Sequence, residues 1–265
     1  MNWQFDCAVV VPCFNEGRVI ASVVEGLRGH VNTVFVVDDG SSDETASEAE
    51  RAGATVLRHQ QNQGKGAALQ TGWKCAHESG FDWAICVDGD GQHAAEDIPR
   101  FFEAVDRTSA SLVVGNRMPG AAAMPTLRRW VNRLMSRRIS KISGLVLPDT
   151  QCGFRLMNLK VWAELNIRAE HFEIESEILL SFIRARQRVE FVPIKVIYKD
   201  ERSKIDPLRD TVRWLKWLAS IRAPKGEPRN KLKTPKTGDF FTAGGQARKE
   251  LPRKGTKNTK VFNHG

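Results

Sequence analysis

The sequence predicts an α/β fold in which helices flank a mostly parallel, Rossmann-like central sheet. Short apolar runs alternate with segments of helical periodicity, which is the order that strand–helix–strand units produce. The runs are apolar on both faces, as is typical of strands in the middle of a parallel sheet. Polar clusters follow several of these runs, at the strand ends where sheets of this kind bind ligands.

The first hundred residues supply four predicted strands, at 7–12, 33–37, 54–57 and 83–87. The helix predicted over residues 16–28 has Val19, Ile20, Val23, Val24 and Leu27 on one face. A second helix is expected to begin after an N-cap at Asp43 and to stop at Gly53, and a third to span residues 65–79.

The second half is less regular. Residues 111–115 and 190–198 are predicted strands, and Pro193 places the latter near a sheet edge. Helices are predicted over residues 127–143, 172–186 and 206–220. We therefore expect a catalytic or binding domain over residues 1–205 and an amphipathic helix over 206–221.

The basic charge of the chain lies in its last segment. Residues 222–265 hold twelve Lys or Arg and three Asp or Glu, which accounts for the whole formal net charge of +9. This segment is rich in Pro, Gly and Lys, and we expect it to be disordered. The five cysteines are scattered without zinc-ligand spacing, and no secretory signal is recognised, so we expect reduced thiols and a cytoplasmic protein. No apolar run reaches the ~20 residues of a membrane span.

Three polar clusters follow predicted strands, at residues 12–16, 38–42 and 88–92. One acidic strand end can simply cap the next helix. Three along one sheet edge instead predict a single crevice. In the third cluster, Asp88 and Asp90 could share a hard divalent cation, Mg²⁺ or Mn²⁺, and Gln92 offers another oxygen. Gly89 lets the backbone approach a bulky anion, and His93 is expected to take no part.

Two nucleotide motifs are absent or incomplete. Residues 62–66 (NQGKG) differ from a phosphate-binding loop because Gly66, rather than Ser or Thr, follows Lys65. A tight turn opening a helix, with Lys65 near a diphosphate, is the more modest interpretation. No G-x-G-x-x-G follows the first strand, which argues against a dinucleotide-dependent dehydrogenase.

Seven segments together resemble one family: VVVPCFNE, VVDDGSSDET, NQGKGAALQTG, CVDGDGQH, VVGNR, DTQCGFRLMN and YKDERSKI. In their order and spacing, over roughly residues 5–205, they are similar to the family 2 glycosyltransferases of GT-A fold. Within that family they most resemble the polyprenol-phosphate (dolichol-phosphate type) hexosyltransferases. The resemblance implies a nucleotide-sugar donor, such as a GDP- or UDP-sugar, and a polyprenyl phosphate acceptor.

On the donor side, the resemblance implies that Pro12, Phe14 and Glu16 flank the nucleotide. Relatives often have Tyr where this chain has Phe14, so a hydroxyl is lost here. Asp39 would hydrogen-bond the base. Asp88, with Gly89 beside it, would contact the nucleotide moiety.

On the metal and acceptor side, the resemblance implies that Asp90 and Gln92, with Asp88 next to them, hold the metal on the diphosphate. Arg117 would bind the acceptor phosphate. Arg202, Ser203 and Lys204 would close over the donor diphosphate, where Arg202 and Lys204 stabilise the charge of the leaving group.

A lipid phosphate acceptor is already ionised at neutral pH, so it needs no strong general base. Asp149 is the best spare carboxylate on the acceptor side, and we expect it to be structural. Glu175 lies in an acidic first helical turn, which suits the helix dipole, although a role in the site stays open.

A membrane contact is expected from the stretch at residues 117–141, which holds seven Arg or Lys and no acid. These charges alternate with the apolar residues Leu127, Trp130, Val131, Leu134, Met135 and Ile139, a composition typical of interfacial helices. Trp214, Trp217 and Leu218 repeat the pattern in the last helix. Alternatively, both helices simply pack on the body of the protein.

Three alternatives stay open. The acceptor could be a glycan or protein hydroxyl, which would require a positioned base such as Asp149 or a glutamate. The chain could be a non-catalytic basic protein that binds membrane or nucleic acid, although no nucleic-acid partner is expected. A nucleotidyltransferase is disfavoured because the Gly-rich, Arg-containing loop is missing after the first strand. Donors that carry mannose on GDP or glucose on UDP fit this pattern equally.

Overall fold

The computed structural model describes residues 1–197 and 207–220, with only the backbone of 122–123 and 207–210. Its centre is a seven-stranded sheet in the order β3-β2-β1-β4-β6-β5-β7. The strands are β1 (Cys7–Cys13), β2 (Thr33–Asp38), β3 (Thr55–Arg58), β4 (Trp83–Cys86), β5 (Leu112–Asn116), β6 (Arg155–Asn158) and β7 (Val189–Pro193). All pairings are parallel except those of β6, which runs antiparallel to both β4 and β5.

Helices cover the sheet. They are α1 (Trp3–Asp6), α2 (Ile20–Arg28), α3 (Thr45–Arg51), α4 (Lys65–Glu78), α5 (Ile98–Thr108), α6 (Thr126–Ser143), α7 (Leu159–Ala163), α8 (Ile174–Arg184) and α9 (Pro207–Ser220). Short 3₁₀ turns lie at Ala95–Asp97 and Met118–Ala123. In the described part of the chain, no helix is both long enough and apolar enough to span a membrane.

The predicted fold class is confirmed. The apolar runs of the first half form β1, β2 and β4, which lie side by side and are buried on both faces. Helix α4 packs closely on this layer, because a Cβ at Gly72 would lie 2.3 Å from Cγ1 of Val10. Pro193 ends β7, which is an edge strand as predicted.

Several elements differ from the predictions. Strand β6 and helices α1, α5 and α7 were not expected, and β6 makes the sheet mixed. The predicted N-cap at Asp43 is wrong, since the N-cap of α3 is Glu44. The Asp43 carboxylate instead accepts hydrogen bonds from Gly17 N and Thr45 N, at 3.0 and 3.1 Å, and so braces the loop after β1.

The two helices expected at the membrane, α6 and α9, differ in how exposed their apolar side chains are. On α6, Leu127, Trp130 and Leu134 are exposed as expected, whereas Ile139 is fully buried. On α9, Trp214 is only 4% exposed, and its Nε1 donates to Oγ of Ser176 on α8 at 3.1 Å. The prediction that Trp214 faces a lipid surface is therefore wrong, because this side chain fills the interface with the body.

Trp217 and Leu218 also pack against the core, half-buried. The predicted loop role of Arg202, Ser203 and Lys204 lies outside the described residues, as does the predicted disorder of residues 222–265.

Candidate active site

The carboxyl ends of β2, β1 and β4 meet at one edge of the sheet, as their polar clusters predicted. Backbone N–H of Asn15, after β1, donates to Oγ of Ser41, after β2, at 2.8 Å. Oδ1 of Asn15 accepts from Ser42 N at 2.9 Å. Asn15 holds a left-handed backbone with φ +53°, a conformation that Asn tolerates better than most residues. The loops after β1 and β2 thus form one hydrogen-bonded wall.

The donor residues implied by the resemblance lie on this wall. Pro12 and Glu16 are half-buried, and the ring of Phe14 is 38% exposed. The loop after β4 lies close by, since a Cβ at Gly89 would come within 2.5 Å of Sγ of Cys13. Any side chain at position 89 would separate the β1 and β4 loops, which gives this glycine a steric function.

Asp39 is buried after β2 and its carboxylate binds several neighbouring groups. Its carboxylate accepts from the backbone N–H groups of Gln63 and Gly64 at 2.9 and 2.8 Å. It also contacts Nδ1 of His59 at 2.7 Å. Asp39 therefore holds the turn that opens α4, where Gly64 has a φ of +102°. Its proposed contact with a nucleotide base would come in addition to these bonds.

Asp88 has a positive partner within the protein. Nζ of Lys65 lies 2.7 Å from Oδ1 of Asp88 and 2.7 Å from Oε1 of Glu175. Burial opposes ionisation of Asp88, but Lys65 and His93 lower its pKa below the usual range. Burial likewise opposes the charge on Lys65, yet its two carboxylate partners raise the pKa of Lys65.

Asp90 is half-buried beside Asp88. Its Oδ1 accepts from the backbone N–H of Gln92 at 3.0 Å. Burial, and then the neighbouring charge of Asp88, raise the pKa of Asp90 above its ordinary value. A cation placed beside this carboxylate would favour its ionised form.

The oxygens of Asp88, Asp90 and Gln92 fit a hard divalent cation such as Mg²⁺ or Mn²⁺. Within residues 1–197 and 207–220 there is no cluster of three or more His, Cys, Asp or Glu suited to a metal ion. Mg²⁺ typically uses only one or two carboxylates and takes its other ligands from water and phosphates. Asp88, Asp90 and Gln92 would therefore supply only part of the ligand shell of such a cation.

Two residues at this site were not foreseen. His93, expected to stand aside, has its Nε2 3.4 Å from Oδ2 of Asp88, and its ring packs against Phe154 at 5.2 Å. Arg128, on α6, donates from Nη1 to Oε1 of Gln92 at 3.4 Å. The exposed basic helix α6 therefore starts directly beside the aspartate motif.

Arg117 and Asp149, which were predicted on the acceptor side, form a buried ion pair. The carboxylate of Asp149 is fully buried and accepts hydrogen bonds from Arg117 N, Nε and Nη2, Asn132 Nδ2 and Gln151 N. Burial opposes its charge, but Arg117 lowers the pKa of Asp149. Such a carboxylate is a poor general base, which agrees with the structural role predicted for it.

The turn before β6 lies against the carboxylate of Asp88. Arg155 is buried and donates to the carbonyl oxygens of Cys152 at 2.6 Å, Thr150 at 3.0 Å and Glu175. It thereby ties the start of α8 to the turn at 150–153. A Cβ at Gly153 would lie 2.6 Å from Oδ1 of Asp88, so only glycine leaves space for that carboxylate.

The chain after β7 returns to the loop that carries Gln92 and His93. Val196 pairs with His93 in an antiparallel bridge, and Ile197 N donates to the carbonyl of Gln92 at 2.9 Å. Arg202 and Lys204 follow shortly in the sequence, outside the described residues.

Curated relatives match most of the chain. A UDP-N-acetylglucosamine–dolichyl-phosphate N-acetylglucosaminyltransferase of Methanococcus voltae is 32% identical over 216 residues, covering 72% of this chain and 86% of the relative. An undecaprenyl-phosphate mannosyltransferase of Micrococcus luteus is 28% identical, covering 72% and 83%. A dolichyl-phosphate beta-glucosyltransferase of Saccharomyces cerevisiae is 26% identical, covering 81% and 73%.

Solved structures share the fold. The UDP complex of glucosyl-3-phosphoglycerate synthase from Mycobacterium tuberculosis superposes with a TM-score of 0.64 at 20% identity, covering 81% of this chain and 79% of that chain. This similarity confirms the GT-A fold. The family model for Glycosyl transferase family 2 matches residues 8–165. The chain belongs to glycosyl transferase family 2.

Proposed function

We propose that this chain is an inverting glycosyltransferase that moves a hexose, mannose or glucose, from a nucleotide-diphosphate sugar to a polyprenyl phosphate. The observation that carries the proposal is that Asp88 and Asp90 lie close together after β4, at the sheet edge that also holds the β1 and β2 loops. The names of the relatives from M. luteus and S. cerevisiae support a lipid phosphate acceptor. The M. voltae relative makes an N-acetylhexosamine a third sugar to test.

In this proposal Pro12, Phe14 and Glu16 flank the nucleotide, and Asp39 contacts its base. Asp90 and Gln92, next to Asp88, would hold Mg²⁺ or Mn²⁺ on the diphosphate. When bound, the metal would supply positive charge to the departing diphosphate. Arg202 and Lys204 would add to that charge from the segment that follows the pairing of Val196 with His93. Structures of a fold neighbour in complex with Mg²⁺ and UDP, or with Mn²⁺ and UDP-glucose, support this choice of ligands.

The acceptor proposal is supported by the surroundings of Asp149, the carboxylate that was predicted on the acceptor side. Asp149 already accepts five hydrogen bonds and cannot serve as the proton acceptor that a hydroxyl substrate needs. An ionised phosphate attacks without one. Arg117, held in place by Asp149, would bind that phosphate, and Arg128 beside Gln92 would be a further cation near the site. A hydroxyl acceptor remains the alternative, with a glutamate as base.

We also propose a peripheral membrane contact at the cytoplasmic face. Leu127, Trp130 and Leu134 are exposed on one side of α6, among the arginines of that helix. Exposed apolar and basic side chains on one helix are typical of binding to an anionic lipid surface. Arg128, in the first turn of the helix, lies beside Gln92, so a lipid at the surface of α6 would be near the site.

The test is transfer of radiolabelled sugar from GDP-mannose, UDP-glucose or UDP-N-acetylglucosamine to a polyprenyl phosphate, with Mg²⁺ or Mn²⁺. We expect transfer from one donor and its loss, by at least a hundredfold, in Asp90→Ala. Asp82→Ala is the matched control, because that aspartate forms an exposed ion pair with Lys160. Full transfer by Asp90→Ala would refute the metal assignment. Transfer to a glycan instead of the lipid would favour the alternative acceptor.

A further inference from the structure

A lysine bridges two carboxylates in the wall of the site. Nζ of Lys65 lies 2.7 Å from Asp88 and 2.7 Å from Glu175, which come from the β4 end and from α8. The side chain of Lys65 is 13% exposed and that of Glu175 is 6% exposed. Asp88 is the outermost of the three, at 27%. The order of the residues from the interior outward is therefore Glu175, Lys65, Asp88.

The surroundings fix each member of this row. The carbonyl of Glu175 accepts a hydrogen bond from buried Arg155, which anchors the start of α8. The Lys65 ammonium lies 5.6 Å from the centroid of the Phe172 ring. An added Cβ on Gly153 would come within 2.6 Å of Asp88 and 2.9 Å of Lys65. Gly153 and Phe172 therefore border the row at Asp88 and Lys65.

We propose that Glu175 is a positioning residue for the donor and metal site, acting through Lys65 on Asp88. The inference rests on the proposed function. Glu175 fixes the Lys65 ammonium, and Lys65 in turn fixes the carboxylate of Asp88 in the orientation that receives the donor. Glu175 itself touches neither the donor nor the metal.

The charges explain why a second carboxylate is useful. Lys65 alone beside Asp88 would cancel that carboxylate and repel a divalent cation at Asp90. Glu175 offsets the charge of Lys65, so the ammonium still orients Asp88 while the strand end keeps its negative charge for the metal and diphosphate. Outer residues that orient ligands in this way typically change metal affinity or activity by about 10- to 100-fold when they are replaced.

A purely structural ion pair makes a different prediction. Such a pair would lower the free energy of unfolding when broken, but would leave the KM for donor and the activating concentration of Mn²⁺ unchanged. The exposed pair Lys74–Glu78, at 3.8 Å on the same helix α4 as Lys65, provides a matched control.

The experiment measures transfer kinetics, Mn²⁺ activation and chemical unfolding of the full chain. In Glu175→Gln, we expect the donor KM and the Mn²⁺ concentration for half activation to rise about 10- to 100-fold. We expect kcat at saturating donor and metal to change less than threefold. Glu175→Asp should recover part of the lost affinity. Glu78→Gln should match wild type throughout.

A double variant separates direct from relayed action. If Glu175 acts through Lys65, adding Glu175→Gln to Lys65→Met should raise the donor KM no further than Lys65→Met alone does. Full additivity of the two changes would overturn the relay. Unchanged KM and Mn²⁺ activation in Glu175→Gln, with wild-type transfer intact, would overturn the positioning role alone. Wild-type protein that neither transfers sugar nor binds UDP or GDP with Mn²⁺ would overturn the proposed function as well.

Discussion

Arg117 and Asp149 are joined by two parallel hydrogen bonds, from Nε to Oδ2 at 2.8 Å and from Nη2 to Oδ1 at 2.9 Å. Both side chains are buried, and Asn132 donates to the same carboxylate. The pair links the end of β5 to the turn before β6. It keeps an arginine charged beside the site while removing Asp149 from acid–base chemistry.

Replacing Asp149 by Asn should therefore cost stability. The change keeps the size of the side chain but leaves the Arg117 guanidinium buried without its countercharge. We expect the free energy of unfolding to fall by about 3–5 kcal/mol, measured by urea denaturation. Asp82→Asn, which breaks an exposed ion pair with Lys160, should change it by less than about 0.5 kcal/mol. Equal effects of the two changes would contradict the buried pair.

The same pair predicts an acid dependence. Burial opposes the charge of Asp149, but Arg117 holds its folded-state pKa below the value of 3.8 for the free group. Its contribution to stability is therefore complete above that unfolded pKa and is lost as the pH falls through the folded pKa. The difference in unfolding free energy between wild type and Asp149→Asn should be constant above about pH 5 and should shrink with further acidification. A difference that grows on acidification would be inconsistent with this sign.

Two helical glycines should respond oppositely to alanine. A Cβ at Gly26 on α2 would meet Cβ of Ala95 at 3.6 Å, an ordinary contact, so Gly26→Ala should stabilise by about 0.5–1 kcal/mol. At Gly72 on α4 the added Cβ would lie 2.3 Å from Val10 and 3.1 Å from Val37. Gly72→Ala should destabilise by about 1–3 kcal/mol despite its better helix propensity. Urea denaturation measures both, and the same sign for the two would show that α4 does not pack as described.

Two tryptophans should separate membrane binding from stability. Trp130 on α6 is 66% exposed, and Trp130→Ala should weaken binding to anionic vesicles by about tenfold through lost apolar burial, with little effect on unfolding. Trp214 is buried and donates a hydrogen bond to Ser176. Trp214→Ala should instead lower the free energy of unfolding by about 3 kcal/mol.

Vesicle co-sedimentation and denaturation measure the two properties side by side. Binding of the wild-type protein to the vesicles should also weaken as the salt concentration is raised, because salt screens the attraction between the arginines of α6 and the anionic lipids. Trp130→Ala binding vesicles as wild type does would contradict the lipid-facing role of α6.

The central sheet was predictable because its strands are apolar on both faces. Four valines of β1 and β2 are fully buried: Val9, Val10, Val36 and Val37. A run of such residues is typical of a strand in the middle of a parallel sheet. Strand β6 escaped prediction because its four residues begin with Arg155 and end with Asn158, which leaves only two apolar residues between them. The buried Arg155 is satisfied by carbonyl oxygens of the turn and of α8, and those bonds cannot be deduced from its neighbours in sequence.

The position of the aspartate motif was predictable, but its partners were not. The end of an apolar strand placed Asp88 and Asp90 at the crevice. Lys65 reaches Asp88 from α4, and Glu175 on α8 contacts Lys65; nothing local in either helix indicates these contacts. Trp214 shows the same limit, since an amphipathic helix has the same pattern whether its apolar face meets lipid or protein.

The antiparallel strand β6 has a consequence for any attempt to divide the protein. It lies between β4 and β5 and covers the side of β4 that faces away from β1. A fragment ending after Val87 would leave β4, whose four residues are all buried in the full chain, as a bare apolar edge. Such an edge recruits strands from other molecules. Expression of the first half alone should therefore yield aggregates, because residues 1–87 are not a separable module.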